Sequence, residues 1–384
     1  MSSNSLRLQL TVFALVAASF TNVYITQPVL PVLQHEFGAA PATVSYSVAA
    51  VILGIALANL PFGAAVDRYP IRPIILLGSL AVATANVICA TTDNLWVLIS
   101  ARFVQGLFIP AMTTCVAAYL SKTLPAERLN VIMGSYISAT VLGGLGGRLL
   151  GGWIHPPLHW RYAFISAAVL ILISSIVALK TLPKKTIQPS QSHEHGGYLR
   201  LLKRWELVRI YLTASGSFFI FSSVFNFLPF KLSADPFNFP TELITLLYTT
   251  YIMGIFLGPV SGRFSNRFGN GPILLIGTGL LALALVLVSL PSLVSVIAGL
   301  LILCTGFFSV HAAAVGSLNR KVNSGQGRAN ALYVLFYYLG GWIGISICGL
   351  MLQQFQWQGV VLTCAVLLPV LLSAGFSELR HKNS

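Results

Sequence analysis

Twelve stretches of this chain are almost wholly apolar, and each is about 20 residues or slightly longer. That is the length a helix rising 1.5 Å per residue needs to cross a bilayer. They fall near 8–31, 43–65, 73–91, 95–119, 130–154 and 162–182, then near 209–230, 242–264, 272–290, 293–316, 328–352 and 357–377. A transmembrane barrel would show short segments of alternating polarity instead. The pattern predicts an all-α integral membrane protein with twelve transmembrane helices. The one long polar stretch divides the runs six and six. This gives an N-terminal six-helix bundle over 1–182, a linker over 183–208 and a C-terminal six-helix bundle over 209–384.

Composition agrees with a surface that faces lipid. Hydrophobic residues make up 56% of the 384 residues and charged residues 8%, against roughly 25% charged in a soluble domain. The net charge of +14 would suit nucleic acid only as a basic face on a soluble fold. Here the Lys and Arg lie in short gaps between apolar runs, so nucleic acid is not an expected partner. With the N-terminus inside, 19 of the 23 fall in cytoplasmic segments, which places both termini in the cytoplasm. Arg161 and Lys231 fall on the other side, and Arg102 and Arg148 lie within spans. The cysteines at 89, 115, 304, 348 and 364 each sit inside an apolar run, where they read as small packing residues. The first run is too long for a signal peptide and is taken as the first span. The linker's His193, Glu194 and His195 read as solvated chain rather than a metal site. No nucleophile–base set and no metal cluster appears, which argues against an enzyme.

The halves repeat. A shift of 199 carries Gly63, Asp67, Arg68 and Pro73 onto Gly262, Asn266, Arg267 and Pro272, and carries Pro41 onto Pro240. A shift of 200 carries Arg128 and Asn130 onto Arg328 and Asn330. Two related six-helix bundles are a transporter plan, with the substrate site between them near mid-membrane.

The loop with Gly63, Asp67, Arg68 and Arg72 resembles the signature loop of the major facilitator superfamily, although Pro70 and Ile71 stand where Gly and Arg are usual. The resemblance covers nearly the whole chain. It implies two pseudo-symmetric bundles and a latch formed by this loop and its repeat at Asn266 and Arg267. Arg102, Gln105, Gly106 and Pro110 resemble the family motif of the fourth span, which implies proton coupling at Arg102. Gly143, Gly147, Gly151 and Gly152 resemble the antiporter motif of exporters, with Arg148 where Pro is usual. Small residues there let two spans slide, or simply pack closely. That variant, with Tyr337–Gly340, is similar to the acriflavine-sensitivity (YnfM-type) branch of drug:proton antiporters. The resemblance implies a monomeric transporter of the bacterial inner membrane. It would work by alternating access, export amphipathic small molecules and use protons as the coupling ion, with no other cofactor.

Arg102 lies about 10 Å from the outer end of its run and Arg148 about 9 Å from its own. They are expected at similar depth on adjacent helices. No Asp or Glu falls in the interior of a run; Glu36, Asp93, Asp235 and Glu242 lie at outer ends. An outer-end carboxylate, carbonyls and water, or a bound anion would have to neutralise the two arginines. The last option opens a second reading, transport of an organic anion or metabolite with the arginines as counter-charge. A sensor without transport is disfavoured by the repeated halves and the latch loop. His311 is the other titratable group within the membrane, either packed neutral or exchanging protons. Phe221 and Phe225 share one helix face, as do Tyr333, Phe336 and Tyr337. They would line a cavity for planar compounds or pack in the core. Asn22, Tyr24, Gln27, Gln105 and Tyr136 are the expected polar contributors from the first half.

Overall fold

The computed structural model describes residues 3–66, 68–124, 126–182, 197–322 and 325–380. Asp67 and the 193–195 triplet lie outside the described residues, and Arg128 and Asn130 are described only as helical backbone. Among the described residues there is no strand.

The first span consists of α1 (Ser3–Tyr24), a 3-10 turn at Gln27–Val29 and α2 (Leu30–Phe37). It breaks because Pro28 lacks the N–H that would pair with the Tyr24 carbonyl four residues back. Gly38, with φ of 57°, closes α2 in the left-handed conformation. Next come α3 (Pro41–Ala65) and α4 (Ile71–Thr91). Then α5 (Leu95–Met112) and α6 (Thr114–Thr123) form one span interrupted at Thr113, just past Pro110. The first half closes with α7 (Ala126–Ile154) and α8 (Trp160–Thr181), and a short α9 (Tyr198–Leu202) follows in the linker.

The second half opens with α10 (Trp205–Ser233). Its next span is α11 (Thr241–Leu247), a 3-10 turn at Tyr248–Ile252 and α12 (Met253–Phe268). No proline forces that interruption. Within it, the Thr250 hydroxyl donates to the Leu247 carbonyl at 2.8 Å. The chain continues through α13 (Asn270–Ser289), α14 (Leu293–Lys321), α15 (Gln326–Ala365) and α16 (Leu368–Arg380). Phe355 and Gln356 leave the helical region inside α15, which is therefore two helices meeting at a kink.

Among the described residues, ten helical stretches are long and apolar enough to cross a membrane, the last being the 55 residues Gln326–Arg380 that contain the kink. Their outward faces are apolar: Leu77, Trp96, Ile173, Phe256 and Leu362 are exposed. Polar groups are turned inward, among them Asn22, Asn86, Arg102, Gln105 and Asn226. This inversion suits a protein solvated by lipid, where unsatisfied polar atoms must be paired internally.

The chain forms two compact units. One comprises Met1–Ala39, Ala50–Ser192 and Thr241–Leu246, the other Ala40–Ala49, His193–Pro240 and Leu247–Ser384. In the first, a Cβ on Gly143, Gly147 or Gly151 of α7 would stand 2.3, 2.1 or 1.8 Å from the carbonyl of Ala17, Thr21 or Ile25. The two backbones touch along a three-step glycine register. In the second unit, Gly340 and Gly344 of α15 meet the carbonyls of Ser215 and Phe219 on α10 in the same way, at 2.1 and 2.8 Å. The duplication visible in the loops is thus repeated in packing.

Candidate functional site

The first unit holds a charged polar core. Arg102 on α5 is fully buried. Its Nη1 donates to the Asn22 carbonyl and to Gln105 Oε1, both at 2.5 Å, and its Nη2 donates to the Val23 carbonyl at 2.7 Å. Gln105 Nε2 then donates to Asn86 Oδ1 at 2.9 Å, and Asn86 Nδ2 to Asn22 Oδ1 at 2.7 Å. Asn22 Nδ2 ends the chain on the Ala18 carbonyl at 2.8 Å. The Asn22 and Val23 carbonyls belong to the last turn of α1, where a helix leaves its acceptors without intrahelical partners. That end also carries the negative pole of the helix dipole. The broken span and the buried cation therefore satisfy each other. Next to Gln105, Gly106 lets α5 meet α3, since a Cβ there would lie 2.2 Å from the Val51 carbonyl of α3.

Arg148 on α7 approaches the same break from another side. Its Nε donates to Gln27 Oε1 at 2.7 Å and its Nη1 to the Gly144 carbonyl at 3.1 Å, while the guanidinium lies 4.1 Å over the Tyr24 ring. Sequence spacing gave the depth of the two arginines but not their rotation about the helix axes. Both point at residues 22–27 of the first span. Gln27 is fully buried, and its Nε2 has no partner among the described residues. Tyr136, lower on α7, is half-buried, with its hydroxyl in reach of Thr113. Two acids at the ends of spans are occupied elsewhere. Glu36 accepts from Arg161 and from Trp160 Nε1, and Asp93 pairs with Arg161 at 2.8 Å.

The glycine motif divides its work. Gly143, Gly147 and Gly151 face α1, whereas a Cβ on Gly152 would fall 1.8 Å from Thr245 Oγ1. In the loop motif, Arg68 is exposed, while Arg72 donates through Nη2 to the Leu182 carbonyl at 2.6 Å and caps the end of α8. In the repeat, Asn266 and Arg267 are exposed, with Arg267 lying 5.2 Å from the Phe268 ring centroid. The buried polar group of that loop is instead Asn270, whose Oδ1 accepts from Ser265 and Arg320.

The second unit is aromatic where the first is charged. Phe221 stacks on Phe307 at 4.1 Å and touches Phe225 at 4.7 Å, and Phe218 stacks on Tyr337 at 3.9 Å. Phe221 and Phe225 are buried among these rings. Phe336 stands apart, stacked on Tyr211 at 5.4 Å. The Tyr333 hydroxyl and His311 Nδ1 are 2.9 Å apart, and the imidazole lies against Tyr337 and Phe307. Tyr251, Phe308, His311 and Tyr337 are only half-buried and form the cluster's open edge.

A family model for the Major Facilitator Superfamily matches residues 12–324 and 237–383. The chain belongs to this superfamily. Among its relatives, an inner membrane transport protein of Escherichia coli, YnfM, is 28% identical, over 96% of this chain and 90% of that one. A chloramphenicol resistance protein of Pseudomonas aeruginosa is 26% identical, over 95% and 88%. Among solved structures, a bacterial homologue of the human lysosomal transporter Spinster superposes with a TM-score of 0.81 at 15% identity, covering 99% of this chain and 98% of that one.

The protein is thus a multi-pass membrane transporter of the superfamily, and its candidate site residues fall into two chemically different sets. Asn86, which closes the arginine network, was not foreseen; an Asn in the middle of the apolar run 73–91 was its signal. Phe307, Phe308 and Tyr251 were also missed. The adjacent phenylalanines of the tenth run could have flagged the first two. Tyr251 lies in the unforeseen 3-10 turn.

Proposed function

We propose that this superfamily member is a proton-coupled secondary transporter of the bacterial inner membrane that exports amphipathic small molecules, drugs included, by alternating access. It has twelve spans, its termini lie in the cytoplasm, it works as a monomer, and protons are its only coupling species. The observation that carries the reading is the glycine register, present in both units, that brings α7 onto α1 and α15 onto α10 with backbones in contact. Smooth helix faces can shift against each other without side chains having to clear one another. The His311–Tyr333 pair at the edge of an aromatic cluster supports planar, apolar substrates and a titratable group near them. The resistance protein among the relatives supports the drug class. Cells expressing the protein are expected to accumulate less amphipathic dye than cells without it, and an uncoupler is expected to abolish the difference. Unchanged accumulation of every such dye, with the protein present in the membrane, would overturn the reading.

A second reading, transport of an organic anion, draws on Gln27. Its buried amide donor has no partner among the described residues and sits beside Arg148. If the anion reading holds, Arg148→Ala lowers transport of anionic substrates by about tenfold or more, the loss expected for a buried charge contact. Intact anion transport in that variant would eliminate it.

A further inference from the structure

Immediately before the seventh span the chain presents a surface that belongs neither in water nor in hydrocarbon. The short helix α9 spans Tyr198–Leu202, and Trp205 opens α10 three residues later. Leu199 is 75% exposed, Trp205 62%, Tyr198 37% and Leu202 36%. Arg200 and Lys203 are exposed as well. Residues three apart share a helix face, so Leu199 and Leu202 form one stripe and Arg200 and Lys203 the stripe beside it.

The segment is held in place. The Arg204 guanidinium pairs with Glu206 and donates to the Lys321 carbonyl at 3.0 Å, at the end of α14. Lys321 in turn pairs with Glu378 of α16 at 2.5 Å, and Ser317 donates to the same carboxylate at 2.8 Å. The ends of three apolar helices are gathered at this level, which sets it at the edge of the bilayer. Leu199 is only six residues before Trp205, so the chain can carry it no more than about 20 Å away. Two leucines, a tyrosine and a tryptophan would be poorly placed in water, and Arg and Lys would be poorly placed among acyl chains. Aromatic rings and long cationic side chains together suit the headgroup region. The basic stripe also lies on the side where the chain concentrates its Lys and Arg, opposite the leaflet surface that attracts such clusters when it is anionic.

We propose that residues 198–205 form an interfacial anchor that binds anionic phospholipid. Arg200 and Lys203 take the headgroup phosphate, and Leu199, Leu202 and Trp205 enter the boundary of the acyl chains. The anchor pins the start of the seventh span to the membrane surface.

The test uses the full chain in nanodiscs of phosphatidylcholine mixed with phosphatidylglycerol, with either lipid brominated on its acyl chains in turn. The emission of Trp205 is isolated by difference from Trp205→Phe. Quenching is expected to be several-fold stronger with brominated phosphatidylglycerol at equal amounts. Arg200→Gln with Lys203→Gln should erase that preference, at about fivefold per residue. Native mass spectrometry of the same double variant should retain fewer phosphatidylglycerol molecules than the parent, a readout that does not depend on the tryptophan variant. Equal quenching by the two lipids in the parent would overturn the proposal. So would quenching of Trp205 by aqueous iodide to the level of free tryptophan, which would mean that the surface faces water or a soluble partner.

Discussion

Arg102 shows how a single buried charge is made tolerable. Its partners include two main-chain carbonyls at a helix end and one amide oxygen. Replacement by methionine would keep much of the volume and leave the Asn22 and Val23 carbonyls without the guanidinium, at roughly 1–3 kcal/mol for each orphaned buried acceptor. Arg102→Met is therefore expected to destabilise the protein by about 3 kcal/mol and to lower its melting temperature in detergent; an unchanged melting curve would contradict the account. Arg102→Lys keeps the charge but not the fork and should fall between. In the other unit, His311 and Tyr333 offer a hydrogen-bonded pair at the edge of the aromatic cluster. If this pair handles the coupling proton, His311→Ala abolishes uphill, uncoupler-sensitive transport but leaves substrate counterflow in place. Loss of both activities together would assign His311 to packing instead.

At the level of helices, the apolar runs were the most legible feature, because a bilayer imposes one length on every span. The runs at 73–91 and 293–316 reappear as α4 and α14 within a few residues. The breaks were less legible. Pro28 and Pro110 stand at two of them, but no proline marks the turn at Tyr248–Ile252. The arginines stood out as charges in apolar runs. Their partners did not, since a main-chain carbonyl leaves no mark in a sequence and helix rotation cannot be read from spacing. The glycine register can be tested with a control on the same helix. Gly147→Ala would press a methyl group to 2.1 Å from the Thr21 carbonyl and must force α1 and α7 apart. Gly134→Ala on α7 meets nothing within 4 Å and should be neutral or gain up to about 1 kcal/mol of helix propensity. Transport is expected to fail in the first variant and persist in the second. Gly340→Ala, facing the Ser215 carbonyl at 2.1 Å, should fail as Gly147→Ala does. Equal activity of Gly147→Ala and Gly134→Ala would remove the register from the mechanism.

At the level of the whole molecule, the halves share a backbone plan and differ in chemistry. The helix pairs α1–α7 and α10–α15 repeat one glycine packing, yet the polar network around Asn22, Arg102 and Arg148 has an aromatic cluster around Phe221, Phe307 and Tyr337 for its counterpart. The proposed function places charge in the first half and much of the apolar substrate surface in the second, with protons as the driving species. Its central claim is tested most directly in proteoliposomes containing only this protein, with a proton gradient imposed across the membrane and a fluorescent amphipathic dye as substrate. The account predicts that the gradient drives the dye against its own concentration difference and that an uncoupler stops it. Dye movement equal to that of protein-free liposomes, or indifferent to the gradient, would contradict it.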